Sequence, residues 1–417
     1  MSAGRSSSCR AALIVAMVAF LVAVTSGAWA QTASAPATPA QPPAAGEQKP
    51  VPKAVGNNLG LAGKLGQEIA KAPEGKGKGQ IDPAAPRGVF GIPGAPDISF
   101  VLAFVWACWV GWIFSSVGAF GGVMAGVGHM SVYGLGDYVR TFRDSAPGLN
   151  RTLTDSIRTS NQFLVGLSSI LSVINYLKAK RMSWPLGLAL GVGSIVGAFL
   201  AASLTGGKTS FSDYQGWFGV FVLAVGIVLF YETTPKGQAS KKKAKEAAQT
   251  FERSVKEKKD ISNQGVSVKS WGLAKTTMSF LGMEFSFSPI AAFFGGLVIA
   301  AISAFIGVGG GFLYVPYLTS IVGLPMFVVA GTSALAVLIS MITSITTYLN
   351  VAGAGMDWVL VGVQLIGVFI GSMVGPRTAK YIPEVWLKRL FILCSLYVGL
   401  GYIMRGFFPN APIRIPI

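Results

Sequence analysis

The chain has 417 residues, of which 52% are hydrophobic and only 12% charged, with a formal charge of +17. Its apolar residues come in runs of about 20, long enough to cross a hydrocarbon core of roughly 30 Å, which excludes an ordinary soluble domain. The positive charge lies outside those runs and no nucleic-acid-binding motif accompanies it, so it reads as loop charge that orients a membrane protein.

Residues 1–30 have the form of a secretory signal peptide. Arg5 and Arg10 precede the apolar stretch 11–24, and Ala28-Trp29-Ala30 supplies a small-residue cleavage site. An uncleaved anchor is the alternative, but the apolar core is short. Residues 31–97 are rich in Pro, Ala, Gly and Lys, which predicts a disordered extracytoplasmic tail, with a short amphipathic helix over 58–72.

Eight spanning runs follow: 98–118, 157–177, 184–204, 214–231, 289–306, 327–349, 358–378 and 385–404. Two glycine-rich segments, 119–135 and 307–324, come after the first and fifth. The runs form a first repeat at 98–232 and a second at 287–406. A lysine-rich loop, 233–286, separates them, and 407–417 forms a C-terminal tail. Cys108 and Cys394 lie inside apolar runs, where a thiol behaves as a small hydrophobe, so no disulfide framework is implied.

The two repeats align. Ser160-Asn161 falls on Thr332-Ser333, Ser168 on Ser340, Ser172 on Ser344 and Tyr176 on Tyr348. After a two-residue gap, Trp184 falls on Trp358, Gly193 on Gly367 and Gly197 on Gly371. If each glycine segment crosses the membrane, the basic loop 178–181, the central loop and Arg377, Lys380, Lys388 and Arg389 all face the cytoplasm. Each repeat then has five crossings, and an odd number inverts the second against the first. The expected fold is an all-α polytopic membrane protein of two inverted repeats, each with a glycine-broken helix, both termini of the mature chain being periplasmic.

The segment Gly307-Val-Gly-Gly-Gly311, with Pro316 beyond it, interrupts a helix inside lipid. The backbone groups freed by such a break must be satisfied by protein, water or ligand. The spans are read as carrying no Lys or Arg. An anion is therefore expected to be held by helix dipoles and neutral donors. The candidate substrate-binding residues are Gly307, Gly309, Gly310, Gly311, Thr332 and Ser333, faced by Gly121, Gly122, Ser160 and Asn161. Gly193, Gly197, Gly367 and Gly371 are assigned to helix packing. Gln162 is a further candidate beside Asn161. Asn175 and Gln364 are read as interhelical hydrogen-bond partners, and His129, the single histidine, as a structural residue rather than a proton relay. No acid lies mid-span, so proton coupling has no carrier. No metal-ligand cluster, cofactor motif or nucleophile–base constellation is present, which argues against an enzyme.

Gly307-x-Gly-Gly-Gly, Pro316, Gly323 and Ala330-Gly-Thr-Ser333 resemble the signature of the TauE/SafE membrane permeases, the sulfite exporter or toluene-sulfonate uptake family. The resemblance is strong over 289–378. It is degenerate in the first repeat, where Phe120 replaces Gly309, Val127 replaces Pro316 and a polar segment, 137–155, intervenes. It implies a secondary transporter of small anions such as sulfite, thiosulfate or sulfoacetate-like sulfonates in a bacterial inner membrane. The expected partners are that small anion, the lipid bilayer and an extracytoplasmic protein bound by the N-terminal tail. A non-transporting membrane scaffold or an anion channel are the alternatives.

Overall fold

A computed structural model describes residues 54–56, 61, 63–118, 120–236, 242–257, 265–307 and 311–408. The expected signal peptide, Gly309, Gly310 and the chain from 409 onward lie outside the described residues.

Each of the eight apolar runs is a helix. A short helix, α1 (Gly63–Lys71), precedes them. The first half contains α2 (Phe100–Ile113), α3 (Gly121–Val127), α4 (Leu135–Thr141), α5 (Pro147–Lys178), α6 (Trp184–Thr205) and α7 (Phe211–Thr233). After α8 (Lys242–Lys256) and a small sheet, the second half contains α9 (Pro289–Ile306), α10 (Gly311–Pro316), α11 (Met326–Thr347), α12 (Trp358–Ala379) and α13 (Glu384–Phe407). Among the described residues, α6, α7, α9, α11, α12 and α13 are long and apolar enough to cross a bilayer, and α2 forms a shorter apolar helix. Helix α5 spans 32 residues but is far more polar. Enclosure explains this: α5 packs against α11, α12, α3 and α1, and 23 of its 32 residues are buried.

Alternate helices run in opposite directions. The starts of α5, α7 and α12 and the ends of α6, α11 and α13 meet at one end of the bundle. Asp155 there accepts from the Gly207 N–H, Ser156 Oγ from the Gly355 N–H (3.0 Å), and the Arg405 carbonyl from Gln215 Nε2 (3.1 Å). At the other end, the Ser183 N–H donates to Thr332 Oγ1 (3.0 Å) and the Val266 N–H to the Lys180 carbonyl (2.8 Å). The basic stretches around Lys180 and in α8 therefore share one end.

Contacts in one half recur in the other. Helix α2 packs on α12 as α9 packs on α6, while α5 meets α11, α7 meets α13 and α3 meets α10. Gly193 and Gly197 of α6 lie against the Phe293 and Leu297 carbonyls of α9. Gly367 and Gly371 of α12 lie in the same way against the Phe104 and Cys108 carbonyls of α2. A side chain at any of the four would strike backbone, which fits their packing role. Tyr176 OH donates to the Ser115 carbonyl (2.7 Å) and Tyr348 OH to the Ala304 carbonyl (2.9 Å). A π-helical turn closes both glycine segments, at Gly128–Val132 and Tyr317–Ile321.

One expectation needs correction. Within the stretch read as a disordered tail, residues 63–97 are folded onto the bundle. Leu65 and Ile69 of α1 are buried, as are Ile81 and Ile92. Lys64 Nζ donates to the Ala352 carbonyl (2.8 Å) and the Phe90 N–H to Asp357 Oδ2 (2.9 Å). Composition misled because this stretch takes part of its core from the helices beneath, Leu65 lying against Gly355. The central loop is also structured. Helix α8 packs on an antiparallel sheet of β1 (Ser267–Ser270), β2 (Thr276–Phe280) and β3 (Met283–Phe287), ordered β1-β2-β3. Strand β2 alternates buried Thr276, Met278 and Phe280 with half-buried neighbours, the period of a strand with one covered face. Phe251 of α8 packs on Phe327 with ring centroids 4.5 Å apart, and Trp271 stacks on Trp184 at 5.3 Å.

Candidate functional site

Helix α5 begins at Pro147, well before the apolar run at 157, because Pro suits the first turn and the polar residues after it face protein. That extension carries Asp155 and Arg158 into the bundle, each only 1% exposed. Spaced i,i+3, they share a helix face and form an ion pair, Arg158 Nη1 to Asp155 Oδ1, at 3.0 Å. The reading that the spans carry no Lys or Arg is corrected: Arg158, the second residue of the run 157–177, is buried within α5.

Four elements converge on Arg158. Its Nε donates to Tyr214 OH of α7 (2.9 Å), and Nη1 also donates to Thr209 Oγ1 (3.2 Å). Tyr214 OH donates in turn to the carbonyl of Ile306, the last residue of α9 (3.1 Å). The Tyr214 ring lies under the guanidinium, with Cζ 4.8 Å from its centroid. Tyr348, at the end of α11, is within hydrogen-bonding reach of both Arg158 and Thr205. Among the described residues Arg158 Nη2 has no partner. A buried, unpaired donor on a charged group carries a large desolvation cost, which an oxyanion would offset.

The glycine break adjoins this arginine. Gly307 caps α9 in the left-handed conformation, φ +78°. A Cβ there would lie 2.7 Å from Arg158 Cβ and 2.8 Å from Cδ, so only glycine lets the guanidinium stem pass. Gly311 is buried as the first residue of α10.

The other predicted residues fall into separate groups. Ser160 and Asn161 lie on α5 within a turn of Arg158. Ser160 Oγ donates to the Ser156 carbonyl (2.9 Å) and sits 3.9 Å from Met356 Sδ. Asn161 faces His129, whose Nδ1 lies 3.2 Å from the Ala125 carbonyl and whose Nε2 lies 3.2 Å from Gln364 Nε2. Both ring nitrogens of His129 are thus engaged by neutral partners, and Gln364 joins α12 through it to the π-helical turn after α3. Gly121 and Gly122 are buried in α3, where Gly121 lies close against Phe114 and the Val110 carbonyl, folding α3 onto α2. Phe120, in place of Gly309, fills the first break and packs on Phe391 at 4.4 Å.

Thr332 and Ser333 are not brought to Arg158. They lie inside α11, not at its start. Thr332 Oγ1 donates to the Val328 carbonyl (2.9 Å) and accepts from Ser183 N–H, while Ser333 Oγ donates to the Ala330 carbonyl (3.3 Å). Ser183 starts α6, whereas Asp155 meets the far end of α6 at Gly207. The 22 residues of α6 between them span about 33 Å. Beside Ser183, Arg181 is buried between the Tyr176 and Phe251 rings, at 4.9 and 5.3 Å. Burial draws its pKa below the ordinary arginine value, with the neighbouring Tyr176 acting in the opposite direction.

Residue-by-residue reading missed Asp155 and Arg158. The available signal was the Asp-x-x-Arg spacing directly before Ser160-Asn161, straddling the start of the run 157–177. Further along α5, Asn161 Oδ1, both polar atoms of Gln162 and Ser172 Oγ lack partners among the described residues, as do Ser340 and Ser344 Oγ on α11. Such buried orphans mark where water or a ligand is accommodated.

The chain matches the family described as Sulfite exporter TauE/SafE over residues 102–402. It is 24% identical over 313 residues to the "Probable membrane transporter protein YunE" of Bacillus subtilis (strain 168), covering 75% of this chain and all of that protein. No solved structure matches it significantly. The matched region begins inside α2, ends in α13 and contains the Arg158–Gly307 junction, so the helical bundle with both glycine segments is the family's shared part and the folded N-terminal stretch lies outside it. The chain belongs to the TauE/SafE family of membrane transporters.

Proposed function

We propose that the chain is a secondary transporter for small anions, of the sulfur-oxyanion or organosulfonate class, in a bacterial inner membrane. Arg158 is the cationic anchor, and the glycine break from Gly307 to Gly311 admits the ligand beside it. The observation that carries this reading is the buried Arg158 guanidinium, its Nη2 unpartnered among the described residues, against a glycine-broken helix. Paired broken helices and recurring contacts between halves accord with the inverted repeats of alternating-access carriers. The orphaned polar atoms of α5 and α11 offer a hydrated route through an otherwise apolar bundle. Ser160 and Asn161 stay in the proposed site, whereas the Thr332 and Ser333 hydroxyls are assigned to holding helices together. The lysine-rich end is assigned to the cytoplasm and the α1 end to the periplasm, as the distribution of basic residues favours.

The test is flux in proteoliposomes against a panel of sulfite, thiosulfate, sulfoacetate and chloride. Saturable flux of one or more sulfur anions, competed by the others and lost in Arg158→Gln, is the expected result. Folded protein that moves none of them, or moves all without saturation, refutes a carrier of this class.

A further inference from the structure

Resting on the anion-site reading above, we infer that Asp155 takes up a proton when an anion binds Arg158, so that anion and proton cross together. As it stands, the site is neutral: one carboxylate and one guanidinium, both buried and mutually hydrogen-bonded. An anion arriving at Nη2 would leave a net negative charge in a low-dielectric interior, a costly state.

The groups around Asp155 do not supply the missing positive charge. Lys64, reaching over from α1 and bonded to the Ala352 carbonyl, keeps its charge but is exposed, so water screens it from the buried pair. Tyr214 and Tyr348 are neutral donors whose hydroxyls go to the Ile306 and Ala304 carbonyls. Arg151, one turn earlier on α5, and Lys208, beside Gly207, are exposed. Protonation of Asp155 is the remaining local means of restoring neutrality.

The geometry also favours this exchange. One proton from the aqueous phase converts the carboxylate to a carboxyl, with no other bond made or broken. One carboxyl oxygen continues to accept from the Gly207 N–H. Arg158 Nη1, released from its ion pair, then stands beside Nη2 as a two-pronged donor, the fork that binds oxyanions best. Release of the anion reverses both changes.

The experiment uses the full-length protein in detergent with methanesulfonate and thiosulfate, whose charge does not change near neutrality. Proton uptake is read with a pH indicator in weak buffer, and affinity by calorimetry. The expected result is uptake approaching one proton per bound anion, with binding tightening up to about tenfold per pH unit of acidification. Asp155→Asn should abolish the uptake and make affinity independent of pH. Anion binding without proton uptake and with flat affinity overturns the coupling but leaves the anion site intact. Full proton uptake in Asp155→Asn also overturns it. If neither probe binds the folded protein, the anion site itself fails.

Discussion

Gly307 and Arg158 occupy the same space in turn: the missing side chain of one is filled by the stem of the other. The contact ties the end of α9 to α5, joining the glycine break of the second half to the only ion pair among the described residues with both partners almost wholly buried. Gly307→Ala is disfavoured twice. The left-handed backbone costs an L-residue about 1–2 kcal/mol, and the new methyl must displace the arginine. Anion affinity should weaken at least tenfold, with a measurable fall in melting temperature. Unchanged affinity in Gly307→Ala would separate the glycine break from the binding site.

The ion pair can be divided into stabilising and binding roles. Removing Arg158 alone leaves a buried carboxylate unpaired, a change of roughly 3–5 kcal/mol for such pairs. Arg158→Met should therefore be strongly destabilised. The double variant Arg158→Met/Asp155→Leu should recover much of that stability, because no unpaired charge remains. Neither variant should transport. Thermal unfolding of the purified proteins checks the first expectation and vesicle flux the second. A double variant that transports would remove Arg158 from the site.

Much of this architecture was legible because lipid makes sequence speak plainly. Runs of apolar residues became α6, α7, α9, α11, α12 and α13 with nearly the predicted bounds. The alignment of Tyr176 with Tyr348, and of Gly193 and Gly197 with Gly367 and Gly371, corresponds to equivalent contacts. Signals failed where burial is in protein and not in lipid. Helix α5 is enclosed, so its polar Asp155–Arg158 turn resembled a loop end. Residues 63–97 borrow part of their core from the bundle below, so their composition resembled disorder. Thr332 shared a motif with the glycine break, but nearness in sequence did not reveal that its hydroxyl faces Ser183.

Gly197 and Gly371 should behave as a matched pair. A side chain at Gly197 meets the Leu297 carbonyl, and one at Gly371 meets the Cys108 carbonyl. Backbone cannot yield as a side chain can, so Gly197→Ala and Gly371→Ala should each lose about 1–3 kcal/mol. Gly362 lies on the same helix as Gly371 but has nothing within 4 Å of its missing side chain. Gly362→Ala should be neutral or slightly stabilising through helix propensity, by up to about 1 kcal/mol. Melting temperatures of the three variants decide the point, and similar values for all would discount the close crossings.

The folded N-terminal stretch should protect the end of the bundle it covers. Lys64 packs against Gly207 and Gly353, and Leu65 against Gly355, directly above the loops that hold Asp155 and Ser156. Deleting residues 54–97 should accelerate amide hydrogen exchange in 205–210 and 352–357, leaving the opposite end near Ser183 unaffected. Equal protection with and without the stretch would mean that it rests on the bundle without bracing it.

Thr332 supplies the sharpest contrast between motif and geometry. Its hydroxyl accepts from the Ser183 N–H at 3.0 Å and donates to the Val328 carbonyl at 2.9 Å. Both functions of the hydroxyl are therefore spent within the protein. Thr332→Val keeps the shape, removes the acceptor and strands a buried N–H, at a cost of about 1–3 kcal/mol. The expected outcome is a lower melting temperature with anion affinity unchanged. Asn161→Leu should instead weaken affinity several-fold, since Asn161 lies within a turn of Arg158 and its Oδ1 has no partner among the described residues. A Thr332→Val protein of normal stability and weakened affinity would show instead that this hydroxyl reaches the anion at some stage of the transport cycle.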